Sequence, residues 1–163
     1  MEIPRAHNLW LPYATLAAAL LLHTIALPGV AAYLAPEWML LVLLYWVLAI
    51  PYRFGIFFSF CVGLVVDVYQ GLPLGLNGLA YACVAYAVLV LHRRIRVYPP
   101  LQQAGMILFI LCLYLIIKLT LRSLLGVPYP PTLVHLLPAL PSAILWPFVY
   151  MLLRGLRIRY RVK

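Results

Sequence analysis

Residues 63–81 read GLVVDVYQGLPLGLNGLAY and set Asp67, the sole aspartate of the chain, among Val, Leu and Gly. Only three of the 163 residues are acidic, so a carboxylate in this company needs a reason. Gly63, Asp67 and Gly71 recur at every fourth position, about one helical turn apart. Small residues at that spacing let helix backbones approach closely inside a membrane. The stretch therefore predicts a helix with a packing stripe and a polar pin within it. Gly71-Leu-Pro-Leu-Gly75 predicts a tight turn into a second helix, along which Gly75 and Gly78 extend the close contact.

The rest of the chain agrees with a lipid setting. It is 67% apolar and 9% charged, with a mean hydropathy of +1.05, whereas soluble domains carry about a quarter charged residues. So little charge cannot keep a surface wet, which predicts an all-α integral membrane protein. The net charge of +9 comes from short basic clusters between apolar runs, the pattern of membrane loops rather than of a nucleic-acid-binding face. A spanning helix needs about 20 apolar residues. Six transmembrane helices are expected, at about 9–27, 36–50, 54–70, 74–91, 101–125 and 133–153, in a single transmembrane domain over residues 1–163. The first follows Arg5 without a small-residue cleavage site and is expected to be a retained span. Only Pro51-Tyr52-Arg53 separates the second from the third, which predicts a tight helical hairpin. Pro138, Pro141 and Pro147 predict a kinked or broken sixth span.

Lys and Arg set the orientation. With the N-terminus cytoplasmic, Arg5, Arg53, Arg93, Arg94, Arg96, Arg154, Arg157, Arg159, Arg161 and Lys163 all lie inside, and only Lys118 and Arg122 lie toward the outside. N- and C-termini are therefore expected to be cytoplasmic. On that topology every span brings a polar group to the outer half: His23, Glu37, Asp67, Asn77, Lys118 with Arg122, and His135. Asp67 is too short to snorkel far, so it should face the bundle interior. Matched depth and opposite sign point to an ion pair with Lys118 or Arg122 that pins span three to span five. In the alternative, both cations reach the headgroups and Asp67 takes only backbone or water hydrogen bonds.

Patterns that carry chemistry are missing. A paired-aspartate intramembrane protease needs two aspartates, and Ser59, Ser123 and Ser142 sit in no nucleophile motif. Cys61, Cys83 and Cys112 lie inside apolar runs without metal or redox spacing and serve as small hydrophobes. His23 and His135 fit hydrogen-bonded interface positions better than a metal or proton site. No enzyme, cofactor or metal site is expected. The outer polar groups and the proline-broken span also suit an outward-facing pocket, as in a small-molecule-binding subunit of a transporter. HRRIR (92–96) and RGLRIRYRVK (154–163) read as topology determinants that attract anionic lipids, at about 1 kcal/mol per basic residue near the surface. They could also dock a cytoplasmic protein. Arg157, Arg159, Arg161 and Lys163 alternate with Ile158, Tyr160 and Val162, which suits an extended tail.

PEWMLLVLLYWVLAIPYR (36–53), the 63–81 stretch and AILWPFVYMLL (143–153) resemble the rod shape-determining MreD family of Gram-negative type. Pro36 and Trp38 match its Pro-x-Trp opening, Asp67 its third-span aspartate, and Gly71, Leu74 and Gly75 its Gly-x-x-Leu-Gly turn. Lys118 and Arg122 match no motif of the family. The resemblance implies a non-catalytic subunit of the bacterial inner membrane. It would belong to the elongation machinery that builds lateral-wall peptidoglycan. Its implied partners are MreC, the MreB filament, and RodA with its class B penicillin-binding protein. It also implies a compact bundle similar to the substrate-binding subunits of energy-coupling-factor vitamin transporters, a likeness of fold alone. Helix packing and partner contact are expected from Gly63, Asp67, Gly71, Gly75, Asn77, Lys118, Arg122, Glu37, Trp38 and His23. Cytoplasmic contacts are expected from Arg93, Arg94, Arg96, Arg157, Arg159 and Arg161.

Overall fold

The computed structural model describes residues 10–24, 34–127 and 133–160. All of its regular structure there is helical: α1 Trp10–Thr24, α2 Trp38–Ala49, α3 Ile56–Gln70, α4 Leu76–Ile95, α5 Pro100–Leu124 and α6 Ala139–Arg159, with a 3₁₀ turn at Leu133–Leu136 before α6. Helices α4, α5 and α6 are long and apolar enough to cross a membrane, and α2 and α3 are shorter apolar helices. Arg5, Arg161 and Lys163, the ends of the first expected span, and most of the loops around 28–35 and 126–132 lie outside the described residues.

Helix α2 forms the centre of the bundle. Its sequence WMLLVLLYWVLA has no polar face, and every residue from Met39 to Ala49 is buried. A helix that is apolar all round belongs in an interior, but in lipid, hydropathy alone does not choose between core and acyl chains. Length and polar ends decide the matter. Twelve residues rise only about 18 Å, well short of the ~30 Å hydrocarbon core. Facing lipid, α2 would leave its terminal backbone groups in hydrocarbon, where each costs several kcal/mol. Enclosed by α1, α4 and α6, it finds partners at both ends. The Glu37 N–H donates to Ser142 Oγ at 3.0 Å, and Arg96 Nη2 donates to the Ala49 carbonyl at 2.6 Å. In between, Trp46 Nε1 donates to Thr15 Oγ1 on α1 at 2.9 Å.

The expected hairpin of the second and third spans is therefore not the main packing unit. The chain turns at Pro51–Phe54, with the N–H groups of Arg53 and Phe54 donating to the Ile50 carbonyl at 3.2 and 3.1 Å. It then leaves α2, and α3 packs chiefly on α4. Helix α3 ends in a Schellman motif. Gly71 adopts φ 63°, its N–H donates to Val68 O at 3.3 Å, and the Leu72 N–H reaches back to Asp67 O at 3.0 Å. Gly75, at φ 98°, then starts α4 in a conformation that a side chain would strain. These two reversals fold α4 back so tightly that a Cβ placed on Gly63 would lie 2.5 Å from Gly78 Cα.

At the opposite end, Gln103 is buried near the start of α5 and ties three helices together. Its Nε2 donates to the carbonyl of Ile95, the last residue of α4, and to that of Tyr98 in the turn that follows, at 3.1 and 3.0 Å. Its Oε1 accepts from Trp146 Nε1 of α6 at 3.3 Å. The prolines of the expected sixth span act at its start: the segment is divided into the 3₁₀ turn and α6 around Pro138, while Pro147 lies within the helix. Residues Arg157, Ile158 and Arg159 continue α6. As far as Arg159 the backbone is thus helical rather than the extended form that the alternation suits, because the i→i+4 ladder begun upstream carries through these residues at no nucleation cost; residues 161–163 lie outside the described residues.

Candidate functional site

Asp67 lies in the last turn of α3, fully buried. Its Oδ1 accepts from the Asn77 N–H at 2.8 Å and from Asn77 Nδ2 at 2.9 Å. Its Oδ2 accepts from the N–H of Gly75 at 2.9 Å and of Gly78 at 3.3 Å. A carboxylate has about four acceptor positions, and the start of α4 fills them all. The first N–H groups of a helix have no partner within it, and that end carries the positive pole of the helix dipole. Asp67 therefore caps α4 from the preceding helix, which the double glycine turn folds back over it. The structure matches neither arrangement open in the sequence in full: Asp67 takes backbone donors, but Asn77 supplies a side-chain donor as well, and Lys118 is held inside the bundle by Glu37 and Tyr114.

Lys118 is engaged elsewhere. Its Nζ lies 3.8 Å from Glu37 Oε1, donates to Tyr114 Oη at 2.9 Å and sits over the Tyr114 ring, 5.3 Å from its centroid. Tyr114 Oη in turn donates to Asn77 Oδ1 at 3.1 Å. Asp67 and Lys118 thus share a network through Asn77 and Tyr114 without touching. The network continues both ways. Asn77 Nδ2 also donates to Gln70 Oε1 at 3.2 Å, and Gln70 Nε2 lies 2.7 Å from His23 Nε2 on α1. On the other side Ser142 Oγ, which accepts from Glu37, donates to the Pro138 carbonyl at 2.6 Å. His23, Glu37, Asp67 with Gln70, Asn77, Tyr114 with Lys118, and Ser142 join all six helices at one end of the bundle, here termed the acidic end. Trp38 stands half-buried beside Glu37, and Arg122 and His135 are half-buried on α5 and the 3₁₀ turn.

The links differ in weight. A neutral hydrogen bond between membrane helices contributes about 0.6 kcal/mol on average and about 1.7 at most. The Lys118–Glu37 pair is more consequential, since both side chains are largely buried, at 14% and 10% exposure. Removing one partner of such a pair costs about 3–5 kcal/mol, whereas replacing both can be neutral. Lys118→Met is therefore expected to lower stability in detergent by about 3 kcal/mol, and Glu37→Gln added to it should recover most of the loss. Additive losses in a double-mutant cycle would mean that the two groups do not interact.

The structure gathers Gly63, Asp67, Gly71, Gly75, Asn77, Glu37, Trp38, Lys118 and His23 at or near the acidic end. Gln70, Tyr114 and Ser142 were not anticipated there. An amide, a hydroxyl and a phenol at the mouths of apolar helices were the available signal. Ser142 and Ser59 both donate to carbonyls in their own helix regions, Ser59 to Gly55 at 3.0 Å. Arg93, Arg94, Arg96, Arg157 and Arg159 occupy the last turns of α4 and α6 at the other, basic end.

Comparison with known proteins adds to this geometry. The family profile described as rod shape-determining protein MreD matches residues 5–156. The chain is 35% identical over 136 residues to the rod shape-determining protein MreD of Haemophilus influenzae (strain ATCC 51907 / DSM 11121 / KW20 / Rd), covering 80% of this chain and 78% of that one. No solved structure matches the chain.

Proposed function

We propose, because this chain belongs to the MreD family of rod shape-determining proteins, that it is a non-catalytic inner-membrane subunit of the bacterial cell-elongation complex. In this role it scaffolds MreC and, through it, the MreB filament and RodA with its class B penicillin-binding protein. The observation that carries the proposal is the polar network tying all six helices at the acidic end. Such a network makes a rigid seat for a partner's helix or membrane-proximal segment, and rigid elements bind at lower entropic cost. Six spans with both termini cytoplasmic would put that seat on the outer side, as the distribution of Lys and Arg favours.

The test is co-purification. The full chain, expressed with MreC, is expected to yield a stable complex without a bound small molecule. Trp38→Ala, at the half-buried rim, should weaken retention of MreC while leaving the melting temperature of the chain within a few degrees. A vitamin-sized ligand bound to the purified chain, with no MreC complex, would favour a small-molecule-binding transport subunit instead.

A further inference from the structure

At the basic end, α2, α4 and α6 enclose a cleft of about 70 Å³ lined by Tyr45, Leu48, Ala49, Arg96, Tyr150, Arg154 and Arg157. Tyr150, Arg154 and Arg157 are three or four positions apart and so share one face of α6. Tyr45 and Tyr150 meet edge to face, ring centroids 5.6 Å apart, and the Tyr45 hydroxyl bonds to Arg157. Arg96 is anchored by its bond to the Ala49 carbonyl and, as a guanidinium, keeps further N–H donors. Arg96 and Arg154 are exposed, Arg157 is half-buried and Tyr45 is buried. The cleft thus has an aromatic floor and a cationic rim. No carboxylate lines it. Asp67 lies at the far end of α4, roughly 30 Å away along its 20 residues, and Glu37 lies at the far end of α2, about 18 Å from Ala49 along its 12 residues.

From this geometry we infer that the cleft binds a phosphate group, supplied by an anionic membrane lipid. Three guanidiniums held together repel one another unless an anion sits among them. Planar guanidinium forks match the oxygens of a phosphate, and two phenol hydroxyls add donors of fixed position. A space of about 70 Å³ takes a group of a few heavy atoms rather than a sugar or a nucleotide. Basic pockets between membrane helices are a known means of headgroup capture. The inference does not depend on which side of the membrane the basic end occupies.

Native mass spectrometry of the full chain, released from bilayers of phosphatidylcholine with phosphatidylglycerol, tests it. One phosphatidylglycerol should stay bound per chain. Arg154→Gln/Arg157→Gln should lower its retention about tenfold or more, as loss of charge-assisted bonds requires. Arg93→Gln/Arg94→Gln, which removes equal charge outside the cleft, should lower retention far less than the cleft pair does, by no more than the general attraction of the basic face. Arg154→Gln alone, at an exposed position, replaces the double variant if that fails to accumulate. In a second arm, inorganic phosphate is added to lipid-free protein. Stabilisation that the cleft variants abolish, without selective retention of phosphatidylglycerol, would keep the phosphate site and assign it to a soluble phosphate. Equal losses in the two variant pairs would reduce the effect to general attraction by the basic face and overturn the site. So would the absence of both lipid retention and phosphate stabilisation.

Discussion

Gly63→Leu is expected to leave no folded chain to purify, and Gly63→Ala to lower stability by about 3 kcal/mol, at the upper end of the usual cost of overpacking. The reason is what a Cβ at position 63 would meet: Gly78 Cα at 2.5 Å, Asn77 O at 2.6 Å and Gly78 N at 2.6 Å. All three are backbone atoms, so no side chain can rotate away and α4 itself must move. The Asn77 and Gly78 N–H groups are also two of the donors that hold Asp67, so the displacement loosens the carboxylate cage along with the helix contact. Gly78→Ala would meet only the Phe60 ring at 3.1 Å and a Leu64 methyl at 3.3 Å, which can shift, and should be milder. Gly105→Ala and Gly155→Ala meet nothing within 4 Å and should be neutral or gain up to about 1 kcal/mol, the usual helical advantage of alanine. Unfolding titrations in mixed micelles measure the series. If Gly63→Ala behaved like Gly105→Ala, the close α3–α4 approach would be wrong.

Asp67→Leu should be nearly as damaging. It strands the Gly75, Asn77 and Gly78 N–H groups and one of the two N–H donors of the Asn77 side chain, the other being held by Gln70. Each buried donor left without a partner costs about 1–3 kcal/mol, and the four are not independent, so a total of about 4–5 kcal/mol is expected. Asp67→Asn keeps the shape and one acceptor oxygen but turns an NH₂ toward amide donors, and should cost about 2 kcal/mol. Both values exceed the ~1.7 kcal/mol ceiling for a single hydrogen bond between membrane helices, which separates a helix cap from an ordinary polar contact. A charge exchange provides a second check. Asp67→Lys combined with Lys118→Asp should not restore stability, because the two side chains do not touch. Recovery in the double variant would reinstate a direct ion pair and overturn the cap.

The α3–α4 turn was legible because its signals are local. Gly71 and Gly75 flank a proline, and the two glycines lie where the chain must reverse twice. The matched depth of Glu37, Asp67, Asn77 and Lys118 was legible too, since hydropathy places residues along a helix axis. Which acid meets Lys118 was not. Asp67 stands in the more conspicuous motif, yet it is satisfied by the helix that follows it, eight to eleven residues on. Glu37 reaches Lys118 across 81 positions. Gln103, Tyr114 and Ser142 were passed over because a single polar side chain in an apolar helix reveals its partner only once the neighbouring helices are in place.

What the sequence determined by itself was the solvent of the protein, the helices, the stops between them and the polar depth of each. These follow from composition and from the few residues that interrupt an apolar run. The tertiary structure alone decided that the short α2 is sheathed by its neighbours, that Lys118 belongs to Glu37, and that three arginines gather around two tyrosines. The physical reason is that helices apolar on every side carry no periodic mark of the face they turn inward. In lipid, that face is chosen by close fit and by where buried donors and acceptors find each other.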